Sequence, residues 1–478
     1  MASFIFLAVI LASLVLAFAA VRGHDMSNVK EYLVASRQFG GFLLFFLSVG
    51  EVYSIGTMIG FPGGIYAKGP TYGIWFLGYI LLAYPVGYFL NPLIWRAGQL
   101  YNALTLPDIF KGHFGNRALE LTVTITAIMF MVPWGQLQFT GLIVALHGLG
   151  WNFNPLTLSL IAAALAFAYI AASGIRAPAL VSIVKDILLV LALVVAGIAA
   201  ASADGVSHIF AQASQHVHNQ MTPTQQRFSM STMFFQCLGF YLFPFAIPNI
   251  FTARSEQTIR KTQIFMPLYM LMYPFLVVAA YYSLGQTFHL SSPNQAFMAT
   301  AVALLPHWLL GLVAAGAALS GLVVLAGISL AMGALITRNL LGHLPETKQR
   351  SGAQIAIVIY LAISIVLTLV TPSLMLTLIN TAYFGITQFF PGLMAILFFR
   401  RINPYAIITG IIVADVLAIA MDVKHVDLHG WNLGLVCLVI NVAIVILGSL
   451  IKRPVESPLP VAYAGLAAVV KGGKPKAS

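Results

Sequence analysis

The chain has 478 residues and a net charge of +11. Only 8% of its residues are charged, and its mean hydropathy is +0.93. A soluble chain of this length would form about three domains with about a quarter of its residues charged, so this composition excludes a soluble protein. It predicts a polytopic membrane protein that folds as a single transporter domain over 1–478. The two cysteines, Cys237 and Cys437, lie in apolar stretches and predict neither a disulfide framework nor a metal site.

Thirteen apolar runs predict an all-α protein of about 13 transmembrane helices. The first run lacks the positive amino-terminal region of a signal peptide, so we expect a retained, peripheral helix at 1–21. Two further peripheral helices over 403–451 and a cytoplasmic tail at 452–478 are expected at the other end. The runs lie near 2–21, 41–66, 72–95, 119–147, 155–173, 179–202, 230–252, 264–284, 305–336, 353–371, 376–398, 403–421 and 431–451.

The second run would make a poor continuous helix. Several glycines and Pro62 interrupt it, and it carries Glu51 and Thr57 where lipid favours Leu or Val. Broken backbone in a membrane is tolerated only where it is buried in protein or lines a watery cavity. We therefore predict a discontinuous helix at a solute site, the alternative being a kinked structural helix with glycines for close packing.

The middle ten helices form two sets of five, 41–202 and 230–398, which enter the membrane from opposite sides. The seventh helix is interrupted by Gly239, Pro244 and Pro248, at the position that matches the break in the second. Broken helices in corresponding positions of two inverted halves indicate the binding site of a secondary transporter. The pattern predicts a 5+5 inverted-repeat core with broken helices 2 and 7.

Basic residues define the predicted orientation. With the N-terminus outside and the C-terminus in the cytoplasm, 20 Lys and Arg residues lie in inner segments and three in outer loops. This bias accounts for the positive charge without nucleic acid. It predicts a multi-pass protein of the plasma membrane whose partners are the lipid bilayer and a small organic solute, with no obligatory protein partner.

One basic residue, Lys185, lies inside a predicted helix. It sits roughly 13–15 Å from the inner surface, at a depth similar to Gly50. A charged lysine there costs about 2.5–3.5 kcal/mol, so we predict that it exchanges a proton and couples transport, together with Asp186. The alternatives are a structural ion pair and a snorkelling side chain. Adjacent residues point about 100° apart on a helix, so Asp186 is not expected to be an ideal partner for the lysine.

The predicted solute site lies at the break of the second helix, where a freed helix N-terminus would face a carboxylate. Other polar groups at depth could contact solute or form hydrogen bonds between helices. The candidate solute-binding residues are Gly50, Tyr53, Gly56, Thr57, Gln136 and Gln236. The sequence has no Walker A motif and no catalytic or metal-ligand cluster, so it predicts no enzyme, no cofactor and no use of ATP.

Four segments resemble the sodium:solute symporter family, whose fold is of the leucine-transporter (LeuT) type. They are EYLVASRQFGGFLL, GFPGGIYAKG, GIRAPALVSIVKDILL and LITRNLL. In sodium-coupled members the ion lies between helices two and nine. The resemblance places two backbone ligands at Gly50 and Tyr53, and two hydroxyl ligands at positions that hold Val323 and Val324. Valine has no oxygen to ligate sodium, and Ser320 could replace these hydroxyls only after an insertion.

The VKD motif containing Lys185 and the TRN motif closing helix nine are similar to the monocarboxylate permease branch of the family. This resemblance implies lactate, pyruvate or a small amino acid as the solute. In some proton-coupled relatives a lysine on the equivalent helix places its amine where sodium would bind. We therefore expect a proton-coupled symporter working by alternating access. The alternatives are a sodium-coupled symporter using Gly50, Tyr53 and Ser320 and, more distantly, a non-transporting sensor or a channel.

Overall fold

The computed structural model describes residues 1–20, 22–23, 28–217, 220–286, 288–342, 344–452 and 458–464. Within these ranges the regular elements are helices, apart from one isolated β-bridge between Phe39 and Ala253. The first half contains α1 (Ala2–Ala19), α2 (Val29–Val34), α3 (Gly41–Val52), α4 (Phe61–Lys68), α5 (Pro70–Leu100), α6 (Leu106–Phe114), α7 (Arg117–Gly148), α8 (Pro155–Ser173), α9 (Arg176–Asp204) and α10 (Val206–His216). The second half contains α11 (Pro223–Gly239), α12 (Ala246–Thr252), α13 (Glu256–Phe265), α14 (Tyr273–Gly285), α15 (Ala296–Leu304), α16 (His307–Ala334), α17 (Glu346–Val370), α18 (Met375–Ile386), α19 (Phe390–Phe398), α20 (Pro404–Val423) and α21 (Leu433–Ile451).

The helices account for the predicted membrane spans. Eleven spans in the described ranges are long and apolar enough to cross a bilayer, and the bent pair α11–α12 brings the number to twelve. The remaining predicted run corresponds to α8, whose described apolar part, Pro155–Tyr169, is shorter than the others. The all-α class predicted from hydropathy is confirmed. Most of the predicted tail lies outside the described residues.

The predicted break in the second span is present. Helix α3 ends at Val52, and Tyr53 has non-helical dihedrals of φ −97° and ψ 80°. A π-helical turn, Gly56–Gly60, then leads into α4. The seventh predicted span is also broken, with an angle of 53° between the segment Pro223–Leu242 and α12. Both breaks leave backbone groups without helical partners in the middle of the protein.

Helix α16 is the centre of the bundle. In the span that begins with α16, 89% of the most apolar 18-residue stretch is buried within the protein. The same share is 22% for α1 and 33% for α21. Small residues such as Gly316 and Ala317 let neighbouring helices approach closely, and a Cβ at Gly316 would lie 3.2 Å from the carbonyl of Leu188 on α9. Helices α1 and α21 therefore lie at the periphery, while α16 supports the region around both breaks.

Several helices extend beyond the apolar runs because their ends are capped. Helix α11 begins at Pro223 rather than near 230, and Thr222 and Gln225 form a capping box there. The short helix α6 has the same device in Thr105 and Asp108. Polar caps are invisible to hydropathy, so the predicted start of α11 was too late and α6 was not among the predicted helices.

Candidate transport site

Helices α3 and α9 come close together at Gly50. A Cβ on this residue would lie 2.5 Å from Ser182 Oγ, so only glycine allows this approach without movement. The Ser182 hydroxyl is itself fixed, because it donates a hydrogen bond of 2.7 Å to the Pro178 carbonyl in its own helix. The close packing brings the carbonyls at the end of α3 within reach of the side chains of α9.

Lys185 bridges the two helices at this point. Its Nζ donates to the Gly50 carbonyl at 2.8 Å and to the Tyr53 carbonyl at 2.9 Å. These are the two carbonyls that the family resemblance assigns to a sodium ion. The ammonium also forms an ion pair of 2.5 Å with Asp186, and both side chains are fully buried. Two of the three N–H donors of the ammonium thus go to backbone carbonyls, and Asp186 balances its charge.

The pair formed by Lys185 and Asp186 corrects the expectation of poor geometry. The Cβ directions of adjacent residues do diverge by about 100°. The lysine has a flexible four-carbon stem, however, so its ammonium returns to the neighbouring carboxylate while still reaching α3. Each charge therefore has its opposite within the protein interior.

A cavity of about 60 Å³ lies beside α3, between α5, α7, α12, α13 and α18. Polar and aromatic groups share its walls. Its α3 wall is formed by Leu44, Ser48, Glu51 and Val52. The other polar residues lining it include Asn91, Asn249, Thr262 and Gln263, and its aromatic residues include Tyr79, Trp134, Phe243, Phe245 and Tyr383.

Glu51 lies where α3, α12 and α16 meet. It is 7% exposed and lines the cavity together with Asn249, so it faces protein and cavity. Gly327 on α16 makes room for it, because a Cβ there would lie 2.9 Å from Glu51 Oε1. The carboxyl group is thus held on the wall of the cavity, one residue after the Gly50 carbonyl that binds Lys185.

Aromatic rings close the cavity on one side. The Tyr383 ring contacts Phe243 and Tyr79 edge to face, with centroids 4.8 and 5.6 Å apart. Trp134 packs on Phe243 with centroids 4.7 Å apart. These rings therefore form an aromatic wall of the cavity.

Comparison with known proteins now identifies the chain. A sequence profile of the sodium:solute symporter family matches residues 32–414. The chain belongs to this family. It is therefore a multi-pass membrane symporter for a small solute, and it is a transporter rather than an enzyme.

Relatives of the symporter cover most of its length. A monocarboxylate transport permease protein of Rhizobium johnstonii is 29% identical over 350 residues, which are 71% of this chain and 70% of the relative. The uncharacterized symporter YhjB of Bacillus subtilis is 26% identical over 476 residues, or 94% of this chain and 96% of that protein. A Na⁺-coupled sialic acid symporter, solved substrate-bound and outward-open, matches with a TM-score of 0.79 at 14% identity, covering 96% of this chain and 99% of that one. The structural match shows the LeuT-type fold.

Helix nine of the symporter, α16, contributes Val323 and Val324 to the interior, 2% and 0% exposed. Neither side chain carries an oxygen. Ser320 is fully buried, and its hydroxyl donates to the Gly316 carbonyl at 2.7 Å in its own helix. These two valine positions thus lack the hydroxyl pair that the family resemblance implies for a sodium site.

The remaining predicted solute residues lie away from the cavity wall. Gly56 and Thr57 are buried in the π-helical turn after the break, and the Gly56 N–H donates to Ser54 Oγ at 3.1 Å. Gln136 Nε2 donates to the Thr371 carbonyl at 2.6 Å, and Gln236 Nε2 donates to Asn380 Oδ1 at 3.2 Å. Both glutamines make the hydrogen bonds between helices that were their alternative role. Their part in solute binding stays a prediction, as it does for Gly50, Tyr53, Gly56 and Thr57.

The amides of the cavity wall, Asn91 and Asn249, were not among the solute-binding residues predicted from the sequence. A signal was present for both, because each asparagine is next to a proline within an apolar run, Pro92 and Pro248. Proline frees a backbone carbonyl one turn earlier in a helix, and buried polar groups often gather at such positions.

Proposed function

We propose that this symporter carries a small organic solute by alternating access, driven by protons that Lys185 takes up and releases. The solute is a monocarboxylate such as lactate or pyruvate, or a small amino acid. The observation that carries the proposal is the position of the Lys185 ammonium, 2.8 and 2.9 Å from the Gly50 and Tyr53 carbonyls. These carbonyls face a cation supplied by the chain itself.

The coupling step follows from the number of hydrogen bonds. When charged, Lys185 has three donors and bridges α3 to α9 with Asp186 alongside. Loss of the proton leaves two N–H donors and removes the charge, so the bridge to α3 weakens and the broken helix is free to move. Val323 and Val324 leave this buried part of α16 apolar, so it supplies no oxygen that could hold the charged amine.

Two observations support a small solute. The Rhizobium relative is named a monocarboxylate transport permease. The cavity of about 60 Å³ corresponds to roughly four to six water-sized volumes, which suits a solute of a few heavy atoms.

A second candidate is sodium coupling through Gly50, Tyr53 and Ser320. The family name and the Na⁺-coupled structural neighbour favour it. In this case sodium would replace the Lys185 amine at the two carbonyls, and Ser320 Oγ would turn away from Gly316. The asymmetry of 20 inner to three outer basic residues supports an N-terminus outside and a C-terminus in the cytoplasm of the plasma membrane in both cases.

Reconstitution into liposomes distinguishes the two candidates. Uptake of labelled lactate, pyruvate and alanine is measured with a proton gradient and a sodium gradient imposed separately. We expect accumulation on the proton gradient alone. Lys185→Ala should abolish it, and Lys185→Arg should do so as well, because arginine stays charged. The exposed Lys68 provides the matched control, and Lys68→Ala should transport as the wild type does.

Two results would overturn the proton mechanism. One is wild-type accumulation that needs sodium at a fixed pH. The other is a Lys185→Ala protein that still concentrates solute on a proton gradient. In either case the sodium-coupled candidate would replace it.

A further inference from the structure

The cavity beside α3 contains buried polar groups without partners. Both amide atoms of Asn91 and the Asn249 Oδ1 have no hydrogen-bond partner within the described part of the chain. Asn91 is 1% exposed and Asn249 is 4% exposed, and both line the cavity. Buried polar groups are nearly always paired, so these atoms indicate a place for a polar ligand.

The unpartnered groups favour a ligand that has both donors and acceptors. Asn91 Oδ1 and Asn249 Oδ1 are unpaired acceptors, and Asn91 Nδ2 and Trp134 Nε1 are unpaired donors. Glu51 adds a carboxyl group on the same wall. The acceptors and the carboxyl group suit the donors of an ammonium, and the two unpaired donors suit the oxygens of a carboxylate.

The charges of the cavity favour a cationic group. Among the described residues that line it, none is Lys, Arg or His, and Glu51 is the only Asp or Glu. The nearby Lys185 already donates to two backbone carbonyls and is paired with Asp186. Two carboxylates that share a site disfavour each other, whereas a carboxyl group next to an ammonium stabilises it. The aromatic rings of Trp134 and Phe243 add faces that attract a cation.

We propose that this cavity is a solute subsite in which Glu51 and Asn249 bind the ammonium group of a small zwitterion, while Asn91 contacts its carboxylate. Glu51 is then the residue that distinguishes an amino acid from a hydroxy or oxo acid of the same size. Gly327 belongs to the subsite as a positioning residue, because its missing side chain admits the Glu51 carboxyl group. The proposal rests on the proposed function only in taking the transported solute to be small.

Binding to the purified, full-length protein tests the subsite. Isothermal titration calorimetry compares L-alanine with L-lactate, which match in size and differ in an ammonium for a hydroxyl. We expect alanine to bind at least about tenfold more tightly, because hydrogen bonds to charged groups are the stronger ones. Glu51→Gln should remove this preference, because it should weaken the binding of alanine while the affinity for lactate changes by no more than about twofold.

A second variant tests the position of the Glu51 carboxyl group, and a control variant changes a carboxyl group elsewhere. Gly327→Ala keeps the carboxyl group but displaces it, so the alanine preference should fall with no change in charge. The control is Asp415→Asn, which changes a buried carboxyl group on α20. This carboxyl group accepts a hydrogen bond from Thr126 away from the cavity, so the variant should keep the preference for alanine. Titration stoichiometry reports the folded fraction of each variant.

The subsite is wrong if lactate binds as tightly as alanine, if neither binds, or if Glu51→Gln retains the preference. These results are separate from the coupling experiment. Proton-driven uptake that depends on Lys185 but not on Glu51 would sustain the proposed function and overturn the subsite. Alanine binding that depends on Glu51, without uptake on a proton gradient, would do the reverse.

Discussion

Replacing Lys185 by methionine should destabilise the symporter strongly, and replacing its neighbour as well should reverse the effect. Methionine is close to lysine in volume but provides no donors. Asp186 therefore keeps a buried charge and loses the one ion pair, of 2.5 Å, that it forms with the described residues. Removing one partner of a buried pair typically costs about 3–5 kcal/mol of unfolding free energy. The Gly50 and Tyr53 carbonyls also lose their donor.

The second substitution identifies the cause. In Lys185→Met with Asp186→Leu no charge remains buried, and replacing a whole buried pair by apolar residues is often neutral. We expect the double variant to regain most of the lost free energy, measured by SDS denaturation in mixed micelles. Lys68→Met on the surface should stay within about 0.5 kcal/mol of the wild type. A single variant as stable as the wild type, or a double variant no better than the single one, would refute this account of the pair.

Two further predictions concern the approach of α3 to α9 and the short helix α6. Gly50→Ala should reduce uptake several-fold, because its Cβ would meet Ser182 Oγ at 2.5 Å and push α3 away from Lys185, and adding Ser182→Ala should restore part of the rate. No recovery in the liposome assay would show that this contact is not the cause. Burial lowers the pKa of His113, outside the spans, from 6.5 to about 4. The unfolded chain therefore binds the extra proton between these values, and stability should fall as the pH drops from 6.5 towards 4. In His113→Gln the melting temperature should therefore fall less between pH 7 and pH 5 than it does in the wild type. An equal fall in both proteins would show that His113 does not cause this pH dependence.

Much of the fold follows from the sequence because the bilayer imposes a simple rule. Each span needs about 20 apolar residues, so hydropathy located the helices, and a glycine-rich run with a proline located the break after α3. Lys185 stood out because a charge in the membrane is costly. Its contacts with Gly50 and Tyr53 came from the resemblance, since spacing along the chain does not tell which helices are neighbours.

The cavity was harder to predict because uncharged amides have two common uses. Gln136 and Gln236 bond neighbouring helices, whereas both amide atoms of Asn91 and the Oδ1 of Asn249 have no hydrogen-bond partner among the described residues and lie on a cavity wall. The four residues look alike in sequence: each is an amide in an apolar run. What separates them is the distance to the next helix, which depends on packing between segments that are remote in the chain.

The bond from Lys185 to the Gly50 and Tyr53 carbonyls also has a consequence for how the site is filled. A free ion occupies its site according to its concentration, and it can leave. A cation attached to the polypeptide is present once per molecule, at a fixed effective concentration that dilution does not change. In the proton-coupled mechanism, occupancy of these carbonyls then depends on chain conformation and on the protonation of Lys185, and not on the salt concentration of the surrounding medium.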